Sequence, residues 1–323
     1  MRRSMIATVV AAGLVLAACG GDDDTETADT VVDEPTADES SEMSDEMSDE
    51  MSDEMSAEMS DEMSDEMSAD HGGLAAECAT GNTVNDGVLT IATGEPAFPP
   101  YVLDDDPASG QGFEAAVGMA VARELGFEDD SVTWVRTAFD AAIAPGPKDF
   151  DFNLQQYTIT PDRAEVVDFS DGYYSASQAI FGLADSPAAS ATTLDELKSL
   201  KIGVAAGTTS VTYVEDTIAP DQELLIFNDN ASAKQALESN QIDAIVSDLP
   251  TALYITAVEI EGTSVFGQIE GSGTDEFGLL LAKDSPLTEC VNHALTALTA
   301  SGELEAITQE WMADFTEAPV ISL

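Results

Sequence analysis

The stretch "LKIGVAAGTTS" (Leu200–Ser210), followed by "SAKQALESNQ" (Ser232–Gln241) and "IDAIVSD" (Ile242–Asp248), decides the fold class. A short apolar run ends in glycine and hydroxyl residues, an amphipathic stretch follows, and a second apolar run closes the unit. That order reads as strand, helix, strand, and strands that alternate with helices imply βαβ units with largely parallel pairing. The alternation extends outward. "VLTIATG" (Val88–Gly94) and "FDFNLQQ" (Phe150–Gln156) read as strands, and "GFEAAVGMAVARELGF" (Gly112–Phe127) reads as a helix with Phe113, Val117, Val121 and Leu125 on one side. "SGELEAITQEWMADF" (Ser301–Phe315) reads as a terminal helix. The class is α/β.

The residues before this region belong to something else. The chain opens "MRRSMIATVVAAGLVLAACGG": two arginines, an apolar run from Met5 to Ala18, then Cys19 and acidic residues. The run is too short for a stable span and has the form of an export signal. "LAAC" (Leu16–Cys19) resembles a bacterial lipobox, which makes 1–19 a lipoprotein signal peptide, Cys19 the lipidated residue, and the extracytoplasmic face of the cell membrane the expected location. From 20 to 73 the chain is low complexity and repeats "MSDE" and "MSAE". Methionines every four residues drift around a helix that turns every 3.6, so the stripe never settles on one face. Like charges with almost no branched apolar or aromatic residues cannot order themselves, so this segment reads as a charged spacer.

Composition excludes one class of partner. With 10 Lys+Arg against 63 Asp+Glu and a formal charge of −53, the chain lacks the basic surface that nucleic acid requires. Of the 3 cysteines, Cys78 and Cys290 remain after the lipobox. In an oxidising compartment they read as one disulfide, two buried thiols being the alternative. No metal or cofactor is expected.

In open α/β sheets ligands bind beyond the carboxyl ends of the strands, so the residues following each strand sample the site. They are Glu95 and Phe98; Gln155, Gln156, Tyr157 and Thr158; Thr208 and Thr209; and Asp248. Just downstream, "TPDR" (Thr160–Arg163) opens a helix, with threonine as cap and proline at the first position. A cation in a first helical turn opposes the helix dipole and becomes favourable when an anion arrives. Arg163 is therefore a candidate fork for a carboxylate, with Thr158 as a further donor; pairing with Glu165 or Asp168 on a solvated face is the alternative. Asp248 suits an ammonium group or caps the helix after it. Phe98 and Phe139 are pocket walls or core.

In order along 89–315, "GEPAFPPY", "GQGFEAAVGMAVARELG", "YTITPDRAEVVDFSDGYY", "LDELKSLKIGVAAGTTS", "ALESNQIDAIVSDLP", "EFGLLLAKDSPL" and "LTASGELEAITQEWM" resemble the family-3 solute-binding proteins of bacterial ABC importers. The resemblance implies a two-lobed, type II periplasmic-binding-protein-like fold with two crossing hinge segments and a ligand cleft. Lobe one would be 84–177 and 274–323, and lobe two 178–273. It implies that Arg163, Thr158 and Thr209 hold an amino acid's carboxylate. Asp248 and the Gln156 carbonyl would take its ammonium, Phe98 and Phe139 would wall the pocket, and Glu95 and Gln155 would meet the side chain. Gln155 and Gln156 replace residues that are usually small, so the glutamines are expected to set this chain's own specificity. The implied activity is non-enzymatic: a monomer that delivers an amino acid to an ABC permease and ATPase. The alternatives are a dehydratase-like enzyme on the same fold, against which the sequence offers only His71 and His293 and no nucleophile elbow, or a sensor subunit.

Overall fold

The computed structural model describes residues 73–269, 275–315 and 317–321. The expected signal peptide, Cys19 and nearly all of the spacer lie outside the described residues.

Two mixed sheets organise the chain. The first is built from β1 (Leu89–Thr93), β2 (Val132–Arg136), β3 (Phe152–Asn153), β4 (Val167–Ala176) and a late strand, β10 (Asp275–Ala282), in the order β2-β1-β3-β10-β4. The second contains β5 (Gln178–Leu183), β6 (Ile202–Ala205), β7 (Leu225–Phe227), β8 (Ala244–Asp248), β9 (Thr263–Ile269) and β11 (Val320–Ile321), in the order β11-β9-β5-β8-β6-β7. The β6, β7 and β8 strands pair in parallel, as the βαβ reading of 200–248 requires. The sheets are less parallel than expected, because β5 runs antiparallel to β8 and β9, and β10 antiparallel to β3 and β4. The cause is local: only Ser177 separates β4 from β5, so the chain passes between sheets with no crossover helix.

Helices cover these sheets in chain order. A helical stretch, α1, spans 73–79. It is followed by α2 (Phe113–Glu124), α3 (Phe139–Ile143), α4 (Pro161–Ala164) and α5 (Leu194–Leu197). The remainder are α6 (Thr209–Tyr213), α7 (Asn230–Glu238), α8 (Leu249–Tyr254), α9 (Thr288–Ala300) and α10 (Glu303–Met312). The face expected on α2 is the buried one: Phe113, Val117 and Val121 are fully buried and Leu125 nearly so. They join a core shared with α9 and the first sheet. The second sheet carries apolar clusters centred on Ile180, Val204 and Leu197, and on Phe181, Ile245 and Leu237.

Two boundaries differ from the sequence reading. Helix α1 precedes residue 84 yet sends Ala75 and Ala79 into the first core, and Cys78 is disulfide-bonded to Cys290 of α9, with Cα atoms 5.4 Å apart. The C-terminal strand, assigned to lobe one, pairs instead with β9 of the second sheet, adding a third crossing to the expected two. Gly267 permits this: a Cβ there would stand 2.6 Å from Ile321 Cγ1, and Ile321 is buried in the second core.

Candidate functional site

The carboxyl ends of β1, β3, β6 and β8 open onto one cavity of about 380 Å³, lined from both sheets. From the first come Glu95, Phe98, Glu114, Phe139, Gln155, Gln156, Thr158, Arg163 and Asp275; from the second come Gln178, Thr208, Thr209, Ser210 and Asp248. Of the residues singled out in the sequence for the site, all but Tyr157 line this space; Tyr157 is fully buried behind it, stacked on Phe139.

Arg163 sits where a one-turn helix puts it. The Thr160 hydroxyl accepts from the Arg163 backbone N–H at 3.3 Å, and Pro161 occupies the first helical position. Because α4 has a single turn, first and last turns coincide, and the dipole argument for the cation loses its force. What fixes the side chain is the fork: one guanidinium nitrogen donates to the Thr158 carbonyl at 2.7 Å, the other to the Gly207 carbonyl across the cleft at 2.9 Å. The guanidinium lies 5.5 Å from the centre of the Phe139 ring, whose other neighbour is the stacked Tyr157 at 4.6 Å. Arg163 is buried, and burial lowers its proton affinity against the opposing charge of Asp275. Surface pairing does not occur, since Asp168 pairs with Lys283 at 3.0 Å.

Asp248 ends β8 and stands at the N-cap position of α8, so the two readings of it describe one place. Its carboxylate is turned to Tyr101 of the first lobe, whose hydroxyl donates at 2.8 Å, and to the Thr251 hydroxyl at 2.5 Å. Burial raises its proton affinity and these two bonds lower it. Thr209 reaches across the cleft to donate to Asp275 at 2.9 Å, and Gln178 donates to the same oxygen at 2.6 Å. Lys234 of α7 lies 5.1 Å above the Phe98 ring while pairing with Glu259 at 2.6 Å. Together with the Arg163–Gly207 and Asp248–Tyr101 bonds, these contacts hold the two sheets closed around the cavity.

The two glutamines differ. Gln155 accepts from the Tyr157 hydroxyl at 2.9 Å. Gln156 has a left-handed backbone, φ 52°, and turns its side chain away from any free role: its backbone N–H donates to Glu114 at 2.8 Å and its side-chain amide donates to the other oxygen of the same carboxylate. Glu95 is exposed at the rim. Sequence reasoning missed Glu114, Asp275 and Tyr101. Glu114 lies one residue into α2, where the apolar periodicity assigns it to the solvent side. Asp275 opens β10 and carries no local signal.

Residues 89–314 match the bacterial extracellular solute-binding proteins, family 3. The L-cystine-binding protein TcyJ of Escherichia coli (strain K12) is 28% identical over 227 residues, covering 69% of this chain and 82% of that protein. An ancestral arginine-binding protein solved with glutamine bound is 31% identical, covers 70% of this chain and 98% of its own, and superposes with a TM-score of 0.61. The ancestral amino acid-binding protein AncCDT-1, described as a precursor of cyclohexadienyl dehydratase, is 29% identical with a TM-score of 0.58, covering 70% and 95%. With the match spanning both sheets and the site between them, the chain belongs to the family-3 bacterial extracellular solute-binding proteins and has their two-lobed α/β fold.

Proposed function

We propose that the protein captures an amino acid between its lobes and delivers it to an ABC importer. The observation that carries this reading is a pair of opposite charges facing one closed cavity from different sheets: the buried Arg163 guanidinium and the half-buried Asp248 carboxylate. An α-amino acid bridges them, its carboxylate on Arg163 with Thr158 and Thr209 beside it, its ammonium on Asp248 near Gln156. Phe98 and Phe139 flank its aliphatic part, and Glu95 and Gln155 meet its side chain. Bridging favours the closed state over the open one, which is the shape a permease with its ATPase would read. Relatives named for cystine and arginine, and a similar structure holding glutamine, support the class of ligand.

A thermal-shift panel of amino acids and of their α-carboxamides tests this. At least one amino acid raises the melting temperature, and its carboxamide does not; equal shifts from both would refute the role of Arg163. The proposed setting is the outer face of the membrane, as a monomer anchored through Cys19. The mass of membrane-extracted protein checks the anchor, which is wrong if Cys19 carries no lipid. The protein is proposed to bind without turnover, so the ligand recovered after incubation is unchanged, whereas a dehydratase would return product.

A further inference from the structure

Besides the exposed Glu95, Asp140 and Asp229, three carboxylates line the cavity: Glu114, Asp248 and Asp275. Glu114 is engaged within its own lobe, by Tyr173 and by the backbone and side-chain amides of Gln156. Asp248 accepts from Tyr101 and Thr251, neither of which is assigned to the ligand. Asp275 is different. It accepts the hydroxyl proton of Thr209, a residue assigned to the ligand's own carboxylate.

The start of β10 puts Asp275 in this place. Phe277 bridges to Thr158 in antiparallel fashion, and Asp275, two positions earlier in the same regular register, shares its side of the strand and lines the same cavity. Thr158 in turn holds Arg163 through its carbonyl, so Asp275 stands beside the carboxylate end of the site. It is also the carboxylate whose charge most favours the ionised Arg163. Gln178, the first residue of β5, donates to the same Asp275 oxygen as Thr209 and accepts from the Ser210 hydroxyl at 2.7 Å. Asp275 and Gln178 thus grip two consecutive residues of α6. An anionic acceptor on Thr209, near Arg163, is what an amino acid's carboxylate would supply, and here a side chain of the protein supplies it.

A threonine hydroxyl has one proton to donate, so Thr209 serves Asp275 or the ligand and not both. Resting on the amino-acid reading above, we infer that Asp275 is an internal competitor for the ligand's carboxylate: it holds the Thr209 hydroxyl before capture, gives it up to the ligand, and takes it back on release. On capture Asp275 keeps Gln178, loses a charge-assisted bond and gains a second anion nearby. Before capture it has Thr209 when the lobes are closed and water when they are open, so the loaded state is the less favourable one for this residue in either case. Asp275 therefore holds the affinity below what Arg163, Thr158 and Thr209 would otherwise give.

Calorimetric titration of the full chain with the common L-amino acids and L-cystine identifies the tightest binder. Its dissociation constant is then measured for wild type, Asp275→Asn, Thr209→Val and the double variant. Asp275→Asn preserves shape and an acceptor for Gln178 while removing the charge, and it binds roughly tenfold more tightly than the wild type. In the Thr209→Val background the same substitution gains less than about threefold, because no hydroxyl remains to compete for. Asp275→Ser, which also offers Gln178 an uncharged oxygen, shifts binding in the same direction and keeps the idea testable if the asparagine variant folds poorly. An equal gain in both backgrounds would reduce the effect to repulsion between two carboxylates. Unchanged or weaker binding by the folded Asp275 variants would give the residue a supporting role. Either result overturns the inference and leaves the amino-acid reading standing, whereas a panel without any binder overturns both.

Discussion

Arg163 and Glu114 are buried ionisable groups with opposite histories. Arg163 stays charged because a guanidinium tolerates burial when its donors find acceptors, and two of its N–H groups here donate to the Thr158 and Gly207 carbonyls. Glu114 stays poised between forms because its three hydrogen bonds favour the anion and its burial favours the acid. The second case has a consequence for stability. The folded protein holds the Glu114 proton up to about 7, whereas an ordinary glutamate releases it near 4.5. Between those values the native state binds more protons than the unfolded chain, so stability falls as pH rises through that window. The contribution is complete below the lower value and lost above the upper one. Urea midpoints of the ligand-free protein measured from pH 4.5 to 8 therefore decline more steeply for the wild type than for Glu114→Gln; parallel curves would show that Glu114 titrates normally.

At the level of elements, the sequence carried the parts that repeat and missed the parts that join. Helix α2 was legible because four apolar positions share one face, and β1, β6 and β8 because continuous apolar runs end in turn residues. The Thr160 cap and Pro161 were legible because capping is a one-turn affair. The antiparallel β5 was not, since its direction follows from a one-residue link between lobes and not from its own composition. Nor was β11, whose two residues find a place only because Gly267 leaves room on the neighbouring strand. In the site, Arg163, Asp248 and the glutamines were visible from their places after strands. Their partners were not: Gln156 is held by Glu114, 42 positions earlier, and Asp248 by Tyr101, 147 positions earlier. Such pairings exist only once the sheets are assembled. The expectation that both glutamines set specificity changes in one respect, because the Gln156 amide is committed to Glu114, which leaves Gln155 and Glu95 as the residues proposed to meet the ligand's side chain.

For the whole molecule, the cleft is held shut by contacts that each cross from one lobe to the other: Arg163 to Gly207, Tyr101 to Asp248, Thr209 to Asp275 and Lys234 over Phe98. Single contacts of this kind are weak against the solvation that an open cleft recovers, so under the proposed mechanism a ligand that pairs with both Arg163 and Asp248 tips the balance. Removing one side of a buried, hydrogen-bonded charge pair ordinarily costs about 2–5 kcal/mol of binding free energy. The dissociation constant of the tightest-binding amino acid, measured by calorimetry for wild type and for Arg163→Ala, tests the capture mechanism most directly. The variant should bind at least roughly thirtyfold more weakly, while an unchanged dissociation constant in a folded Arg163→Ala protein would contradict it.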